Sequence, residues 1–240
     1  MTALVVAAFV LLLAGFWIFW IEPLGVLSVL ERLTPNIVYR IRTERPLVTL
    51  SFDDGPHLEF TPEVLEILER HHARATFFLI GERALRHPEV LSRIRTAGHE
   101  VGNHYFRNGS TLLDSDAEFT RNLEKTERVL GIARRPKLFR PPGGVAWPRQ
   151  LQIARAAGYE CVLGCAYPHD PMRPPAWYIR WLIEKNLRPG TIVILHDGIS
   201  DPKRSIEALP YILTAGRKKG LQFLSIGELL RDRQEQTNRD

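Results

Sequence analysis

Short apolar runs and helically spaced apolar residues alternate along most of the chain. The short runs predict buried strands, because turn residues bound them and they are too short for helices. They lie at Leu47–Phe52, Ala75–Ile80, Leu138–Phe139, Cys161–Leu163, Ile192–Leu195 and Gln222–Ser225. Helical spacing covers Thr61–His72, Pro88–Ala97, Asp116–Leu130, Arg149–Ala157, Pro175–Asn186 and Ser205–Lys219. This alternation predicts an α/β fold around a parallel sheet, either open or closed into a barrel.

The longest apolar stretch stands at the N-terminus, where no charged side chain occurs from Met1 to Ile21. A helix of roughly 20 residues spans about 30 Å, the thickness of a bilayer's hydrocarbon core. Trp17 and Trp20 fall near its end, the position of an interfacial aromatic belt. A cleaved signal peptide would have a basic start and a small-residue cleavage site, and this stretch has neither. We therefore predict a retained transmembrane helix rather than a signal peptide or a buried helix.

These patterns divide the chain into four parts. Residues 1–22 are the predicted transmembrane anchor, and residues 23–45 are a connector interrupted by prolines. Residues 46–231 are the folded domain, and residues 232–240 are a polar tail.

Charge around the predicted anchor bears on which side of the membrane the folded domain faces. No Lys or Arg precedes the span. Several arginines follow it: Arg32, Arg40, Arg42 and Arg45. The positive-inside rule then places the folded domain in the cytoplasm. Any of these arginines that belongs to the folded domain weakens that prediction.

Composition narrows the class of protein. The chain has 240 residues, of which 45% are hydrophobic and 25% are charged, as in a globular protein. The net charge of +5 fits a solvated, arginine-rich surface, and no motif or basic–aromatic face predicts nucleic-acid binding. Two cysteines, Cys161 and Cys165, are too few for a disulfide scaffold or a four-cysteine zinc site.

Polar residues with chemical potential follow the predicted strands, where parallel α/β folds place their sites. Asp53 and Asp54 end the first strand, and two adjacent carboxylates indicate either a metal ligand or displaced pKa, or a helix-capping or turn pair. His104 is a candidate ligand beside Asp54. Arg140 suits a carboxylate partner, and His196 is a credible proton donor.

Five motifs in order resemble the polysaccharide deacetylases of the NodB-homology type, also called carbohydrate esterase family 4. The motifs are SFDDGP at 51–56, ATFFLIGE at 75–82, AGHEVGNH at 97–104, FRPPGG at 139–144 and ILHDG at 194–198. The resemblance covers about Pro46 to Leu230 and makes residues 46–231 a polysaccharide deacetylase catalytic domain. It implies a distorted (β/α) barrel, commonly of seven strands. It also implies one divalent metal ion, with zinc favoured over cobalt, manganese or nickel.

The resemblance also implies roles for individual residues. Asp53 is the general base, Arg140 orients it, and His196 protonates the leaving amine. Asp54 and His104 are metal ligands. Residues implied in substrate binding are Pro142, Gly143 (whose N–H can face an oxyanion) and Ile194 (which lines the pocket of the acetyl methyl group).

The chain departs from the family pattern at its metal site. Asn108 stands where the family has a second ligand histidine, and an amide oxygen is a weaker, neutral ligand that favours harder cations. Three outcomes of this replacement are open. Asn108 binds the metal with altered affinity or metal preference, or another group or water completes the coordination shell. In the third outcome, metal binding is lost and the protein only binds sugar. We keep Asn108 as the predicted third ligand.

Two further departures affect the catalytic acid and the sugar cleft. Asp170 matches the acid that orients the catalytic histidine, but Pro171 replaces the tryptophan that often follows it. Gly143 replaces a frequent tyrosine, so an aromatic wall of the sugar site is lost. The cleft is therefore expected to differ from that of a chitin-type enzyme.

The resemblance predicts metal-dependent hydrolysis of the N-acetyl group of an amino-sugar polymer or glycan. One alternative is a deacylase or deformylase of a lipid-linked amino sugar. The other is a non-catalytic sugar-binding module. The expected partners are such a glycan or lipid-linked sugar and, through the N-terminal helix, a membrane; family habit favours an extracytoplasmic domain, against the charge asymmetry.

Overall fold

The computed structural model describes residues 15, 20–21, 24–133 and 135–237. The chain divides into two compact units, Met1–Pro35 and Asn36–Asp240. The described part of the first unit contains α1, Leu24–Leu33. In the second unit the strands are β1 Ile37–Val38, β2 Leu47–Gly55, β3 Ala75–Leu79, β4 Glu100–Asn103, β5 Lys137–Phe139, β6 Tyr159–Val162, β7 Ile192–His196 and β8 Gln222–Leu224.

Helices connect most of these strands. They are α2 Phe60–Arg70, α3 Gly81–Arg86, α4 Pro88–Thr96, α5 Asp116–Leu130, α6 Pro148–Ala156, α7 Ala176–Asn186, α8 Lys203–Lys218 and α9 Ile226–Thr237. Short 3-10 turns occupy Pro142–Gly144 and Asp170–Met172. The predicted class, a parallel-sheet α/β fold, is confirmed.

The sheet is parallel and has the order β1-β6-β5-β4-β3-β2-β7, with β8 paired to β2. Its far edges meet where Ala166, after β6, forms a parallel bridge with Val193 of β7. The N–H of Ile194 donates to the carbonyl of Ala166 at 3.0 Å, and the N–H of Ala166 donates to Ile192 at 3.2 Å. An irregular segment, rather than a full strand pair, thus joins the two ends of the sheet.

The interior of the sheet explains why its strands form where apolar runs occur. Every residue of β3 is buried, as is nearly all of β2, so both strands are covered on two faces. Phe52 and Phe77 stack with ring centroids 5.1 Å apart. Outside, α2 buries Val64, Leu65 and Leu68 at helical spacing. This packing fixes the strand ends that carry the polar residues.

Several elements differ from the predicted ones. The strand β1 lies in the predicted connector and pairs with β6, so the compact unit starts at Asn36 rather than at residue 46. The tail predicted over 232–240 is helical as far as Thr237, because α9 continues from a buried apolar face. That face consists of Ile226, Leu229 and Leu230.

The predicted transmembrane anchor, residues 1–22, lies outside the described residues except for Gly15, Trp20 and Ile21. Among the helices of the described ranges, none combines the length and the apolar character needed to cross a bilayer. The anchor stays a prediction.

Candidate active site

The polar residues predicted from the strand ends meet at one edge of the sheet. Asp53 is the register partner of His196, because β2 and β7 are adjacent. His104 follows β4, and Arg140 follows β5, which pairs with β4. Asp54 lies beside Asp53 near the end of β2. The fold therefore brings the five candidate residues to its carboxyl edge.

Arg140 and Asp53 form a buried ion pair. The Nη1 atom of Arg140 donates to Oδ1 of Asp53 at 2.6 Å and to Oγ of Ser51 at 2.8 Å. Its Nε donates to the carbonyl of Val162 at 2.9 Å, and its guanidinium lies 4.1 Å from the centre of the Phe78 ring. Burial lowers the pKa of Arg140, while the carboxylate of Asp53 opposes that change. The predicted base and its predicted orienting arginine are in direct contact.

Asp54 faces His104 across a short gap. Its Oδ1 lies 3.3 Å from Nε2 of His104, and its backbone has a left-handed φ of 68°. Burial acts to raise the pKa of Asp54, but the hydrogen bond and charge of His104, with the charges of His196 and Arg83, hold it below its usual value. The left-handed φ is uncommon outside glycine and is typical of functional sites.

This pair has the chemistry of a metal site. The Nδ1 atom of His104 lies 2.8 Å from the carbonyl oxygen of Arg140. A carbonyl only accepts, so Nδ1 carries a proton and Nε2 is the atom of His104 that faces Asp54. A carboxylate oxygen and an imidazole nitrogen 3.3 Å apart can share a cation between them. Ligands about 2.0–2.1 Å from a tetrahedral Zn²⁺ lie about 3.3 Å from each other. Asp54 and His104 thus fit as two metal ligands.

Asn108, the predicted third ligand, lies on the exposed loop between β4 and α5. Within the ranges that the structure covers, no hydrogen bond or ion pair links it to Asp54 or His104. The same described residues contain no group of three or more His, Cys, Asp or Glu side chains placed to hold a metal ion. The structure therefore brings Asp54 and His104 together, and the ligand role of Asn108 stays a prediction.

His196 is held by a buried carboxylate. Its Nδ1 lies 2.9 Å from Oδ1 of Asp170, and its backbone N–H donates to Oδ2 of Asp170 at 2.8 Å. Ser205 donates to the same Oδ2 at 2.8 Å. Burial alone would lower the pKa of His196, but the charge and hydrogen bond of Asp170, with the charges of Asp53 and Asp54, raise it to about 9. At neutral pH His196 is protonated and can donate a proton.

The predicted substrate residues take three different positions. Pro142 is buried, whereas Gly143 is exposed with a φ of 65° and open space where a side chain would start. Ile194 is half-buried. A Cβ on Gly164 would lie 2.7 Å from Cγ1 of Ile194, so glycine makes room for this isoleucine.

Sequence reasoning missed two residues that hold the site together. Asp197 is fully buried and accepts a hydrogen bond from Thr61. Burial raises its pKa to about 7, against the lowering effect of Thr61. Arg83 donates to the carbonyls of Asp54 (2.6 Å) and Gly198. Arg83 directly follows the motif ATFFLIGE at 75–82, and its sequence position does not predict these hydrogen bonds.

Glycine is required where the two central strand ends touch. A Cβ on Gly198 would overlap the carbonyl oxygen of Asp54. The backbone N–H of Gly198 also lies 3.3 Å from the carbonyl of Asp53. The base side and the acid side of the site are therefore joined by backbone as well as by side chains.

Relatives with assigned activities match most of the chain. A family model described as polysaccharide deacetylase matches residues 40–162. A peptidoglycan-N-acetylglucosamine deacetylase of Bacillus cereus is 34% identical over 201 residues, which are 82% of this chain and 94% of the relative. A chitooligosaccharide deacetylase of Sinorhizobium fredii is 35% identical over 164 residues, 67% of this chain and 76% of the relative.

Solved structures extend this similarity to the fold. A peptidoglycan N-acetylglucosamine deacetylase bound to 4-naphthalen-1-yl-N-oxidanyl-benzamide superposes with a TM-score of 0.78 and 29% identity, over 83% of this chain and 95% of that one. A pseudoenzyme of carbohydrate esterase family 4 from Bacillus anthracis gives 0.73 and 30%, over 84% and 71%. A family 4 acetyl xylan esterase from Clostridium thermocellum with a cobalt ion gives 0.71 and 28%, over 77% and 90%. The chain belongs to the polysaccharide deacetylase family and is a hydrolase of the deacetylase type.

Proposed function

We propose that the protein hydrolyses the N-acetyl group of N-acetylglucosamine units in a glycan, with the help of one divalent metal ion. The observation that carries this proposal is the opposed pair of proton-transfer groups at one sheet edge. Asp53, fixed by Arg140, is a base, and His196, protonated beside Asp170, is an acid. The names of the relatives, which act on peptidoglycan or chitooligosaccharides, support the same substrate class.

Each residue has a defined part in amide hydrolysis. Asp53 accepts a proton from the attacking water while the oxygen of that water bonds to the acetyl carbon. His196 then donates its proton to the amide nitrogen as the C–N bond breaks, which avoids the expulsion of an amide anion. The products are acetate and the free amino sugar. Gly143 is exposed and has a left-handed φ, and its backbone N–H is the proposed donor to the oxyanion.

Asp54 and His104 would hold the metal ion, with Asn108 or water completing its coordination. The bound ion would polarise the acetyl carbonyl and lower the pKa of water. The cobalt ion in a family 4 esterase supports a divalent metal in this fold. Zinc is the proposed ion, and the weak amide ligand favours low affinity or a harder cation such as manganese.

The proposed location is a membrane. The uncharged stretch from Met1 to Ile21 would form a single-pass anchor. Of the four arginines that follow it, only Arg32 precedes the compact unit Asn36–Asp240, so the charge argument for a cytoplasmic domain is weak, whereas a peptidoglycan substrate favours an extracytoplasmic domain. Tagging the C-terminus and testing its accessibility to protease in intact cells decides between the two sides.

Acetate release tests the proposed activity. The full chain is purified in detergent, stripped of metal and assayed with a chitooligosaccharide before and after addition of zinc, cobalt or manganese. Metal-dependent release that disappears in Asp53→Asn is the expected result. Absence of both release and calorimetrically detected metal binding would contradict the proposal.

A second candidate function is non-catalytic sugar binding. The replacement of a ligand histidine by Asn108 favours it, because an amide oxygen is a weaker metal ligand than an imidazole. A pseudoenzyme with this fold shows that the family includes inactive members, and an engineered mutant of that protein has restored enzymatic activity. Glycan binding without acetate release would support this candidate. Metal binding without release from oligosaccharides would instead favour a lipid-linked acylamino sugar.

A further inference from the structure

The outer side of α7 carries two exposed tryptophans. Trp177 is 66% exposed and Trp181 is 43% exposed, and the two stand one helical turn apart. The ring of Tyr178 lies between them, with its centroid 6.1 Å from that of Trp177 and 5.8 Å from that of Trp181. Because each ring contacts the next, the three residues form one continuous aromatic strip along the helix.

The other side of α7 is fixed to the body of the domain. Ile179, Leu182 and Ile183 are fully buried. Rotation of the helix to bury its tryptophans would bring these three residues into water, which removes the apolar contacts that hold the helix in place. The fold therefore keeps the aromatic strip at the surface.

Positive charges stand beside the strip. The Nζ atom of Lys185 lies 5.3 Å from the centre of the Trp181 ring. The guanidinium of Arg180 lies 3.9 Å from the centre of the Tyr211 ring on α8, and Tyr211 is 51% exposed. These contacts extend the exposed aromatic surface from α7 to α8. What we call the α7 face consists of Trp177, Tyr178, Arg180, Trp181, Lys185 and Tyr211.

The two helices that form this face are strongly basic. Together α7 and α8 contain six Lys or Arg and two Glu, a net charge of +4, compared with +5 for the whole chain. The cations are Arg180, Lys185, Lys203, Arg204, Arg217 and Lys218, and the acids are Glu184 and Glu207. A surface with this excess of cations attracts an anionic partner.

We infer that the α7 face lies on an anionic lipid membrane, with its tryptophans at the level of the headgroups. Trp and Tyr concentrate at the interface between membrane and water, and Lys and Arg beside them attract anionic lipids. Protein–protein interfaces are depleted in lysine, so Lys185 beside Trp181 favours lipid over a protein partner. The inference goes beyond the proposed function, because it gives the folded domain a membrane contact of its own, independent of residues 1–22.

Quenching of tryptophan fluorescence by spin-labelled lipid tests this contact. The full chain carries Trp17→Phe, Trp20→Phe and Trp147→Phe, so that Trp177 and Trp181 are its remaining tryptophans. It is mixed with phosphatidylcholine vesicles that carry a doxyl label near the headgroups, with or without phosphatidylglycerol at about one third of the lipid. The label should remove at least about half of the emission in the anionic vesicles and much less in phosphatidylcholine alone.

Two further variants separate a specific contact from chance proximity to the vesicle. Lys185→Gln should shift the equilibrium about fivefold away from the lipid-bound face, measured as lost quenching, because it removes one attraction to the anionic surface. The matched control is Leu85→Trp in a chain whose five tryptophans are all replaced by phenylalanine. This reporter replaces a 55% exposed leucine of α3 and should be quenched weakly and equally in both lipids.

The measurement needs neither substrate nor metal, so its outcome is independent of acetate release. It also holds whether or not residues 1–22 enter the bilayer, because the reporting tryptophans are those of α7. If the chain with three phenylalanines does not fold, the difference in quenching between wild type and the double variant Trp177→Phe, Trp181→Phe reports on the same two residues. Quenching in anionic vesicles no stronger than that of Leu85→Trp overturns the inference, and ultracentrifugation then shows whether the face joins a second copy of the chain.

Discussion

The two halves of the site differ in how firmly the fold holds them. In the proton-transfer half, Asp53 and His196 each contact a buried charged partner, Arg140 and Asp170. In the proposed metal half, Asp54 and His104 face each other, but Asn108 lies on an exposed loop. In the described residues, ion pairs join every member of the first half to a partner, whereas in the second half one contact joins Asp54 to His104.

The difference has a physical origin. Asp53 and His196 lie on strands of the packed sheet, and their partners Arg140 and Asp170 are buried. The third metal position lies on a connecting loop, where the backbone is fixed by fewer contacts. Substitutions in the first half should therefore have the largest effects on kcat and on the free energy of unfolding. Substitutions in the second half should change metal affinity by a smaller amount.

Arg140→Met should give the largest effect. It leaves the carboxylate of Asp53 buried without its partner, which costs about 3–5 kcal/mol of unfolding free energy. The loss of a positioned base should also lower kcat by at least about 100-fold. Urea unfolding and acetate release measure the two effects.

The control for this variant is Arg149→Met. The ion pair of Arg149 with Asp116 is on the surface, with side chains 76% and 39% exposed. Its removal should change the unfolding free energy by less than about 1 kcal/mol. Equal effects of the two substitutions would contradict the assignment of a special role to the buried pair.

Asp170→Asn should give the next largest effect, through pH. In the native protein the pKa of His196 is raised to about 9, so the acid is present at neutral pH and is lost as pH rises through about 9. Without the carboxylate, burial acts to lower that pKa, and the alkaline limb of kcat moves toward neutral pH. We expect kcat at pH 8 to fall at least about tenfold, with a smaller loss at pH 6.

Ser205→Ala is the matched control for the pH effect. It removes one hydrogen bond to Asp170 and keeps the charge that raises the pKa of His196. The alkaline limb should then move by less than it does in Asp170→Asn. A profile of Asp170→Asn that coincides with that of wild type would show that His196 is not the acid.

Asn108→His should have a moderate effect in the opposite direction. Imidazole is a stronger ligand than an amide oxygen for zinc, so zinc affinity should rise at least about tenfold. Calorimetry on metal-free protein measures this, with Asn108→Gln as the control. If zinc binds equally well to all three proteins, the loop does not contribute a ligand.

Arg83→Met should give the smallest effect. Arg83 is a positioning residue, because it donates hydrogen bonds to the backbone carbonyls of Asp54 and Gly198, and its charge also acts on Asp54. Its loss should lower kcat about three- to tenfold, consistent with one hydrogen bond of about 1 kcal/mol. It should also weaken zinc binding. Arg83→Lys should restore part of both, whereas the exposed neighbour Arg86→Met should change neither.

Most of the fold could be predicted where local signals agreed. Asp116–Leu130 was predicted with its observed bounds, because Ser115 caps its start and Gly131 ends it with a φ of 51°. The helix Gly81–Arg86 was missed, since it follows a buried strand at once and has no capping side chain. The two-residue strand β1 carries too short an apolar run to be detected without its partner β6.

The site residues that lie at strand ends could be predicted from the sequence, whereas contacts between other elements could not. Asp53, Arg140 and His196 each follow an apolar run, so their meeting at one edge followed from the parallel sheet. Thr61 and Asp197 meet across separate elements, which no spacing reveals. Asn108 is exposed on the loop after β4, and its ligand role stays a prediction.

The contact of Gly198 with the backbone of Asp54 has a consequence for directed evolution. Because any side chain at Gly198 would overlap that carbonyl, a randomised library at this position should yield glycine alone among active clones. Asn108 and Val145, by contrast, are exposed on the loops after β4 and β5. New substrate preferences should therefore be sought by diversifying those loops, while the junction of the two strands is left untouched.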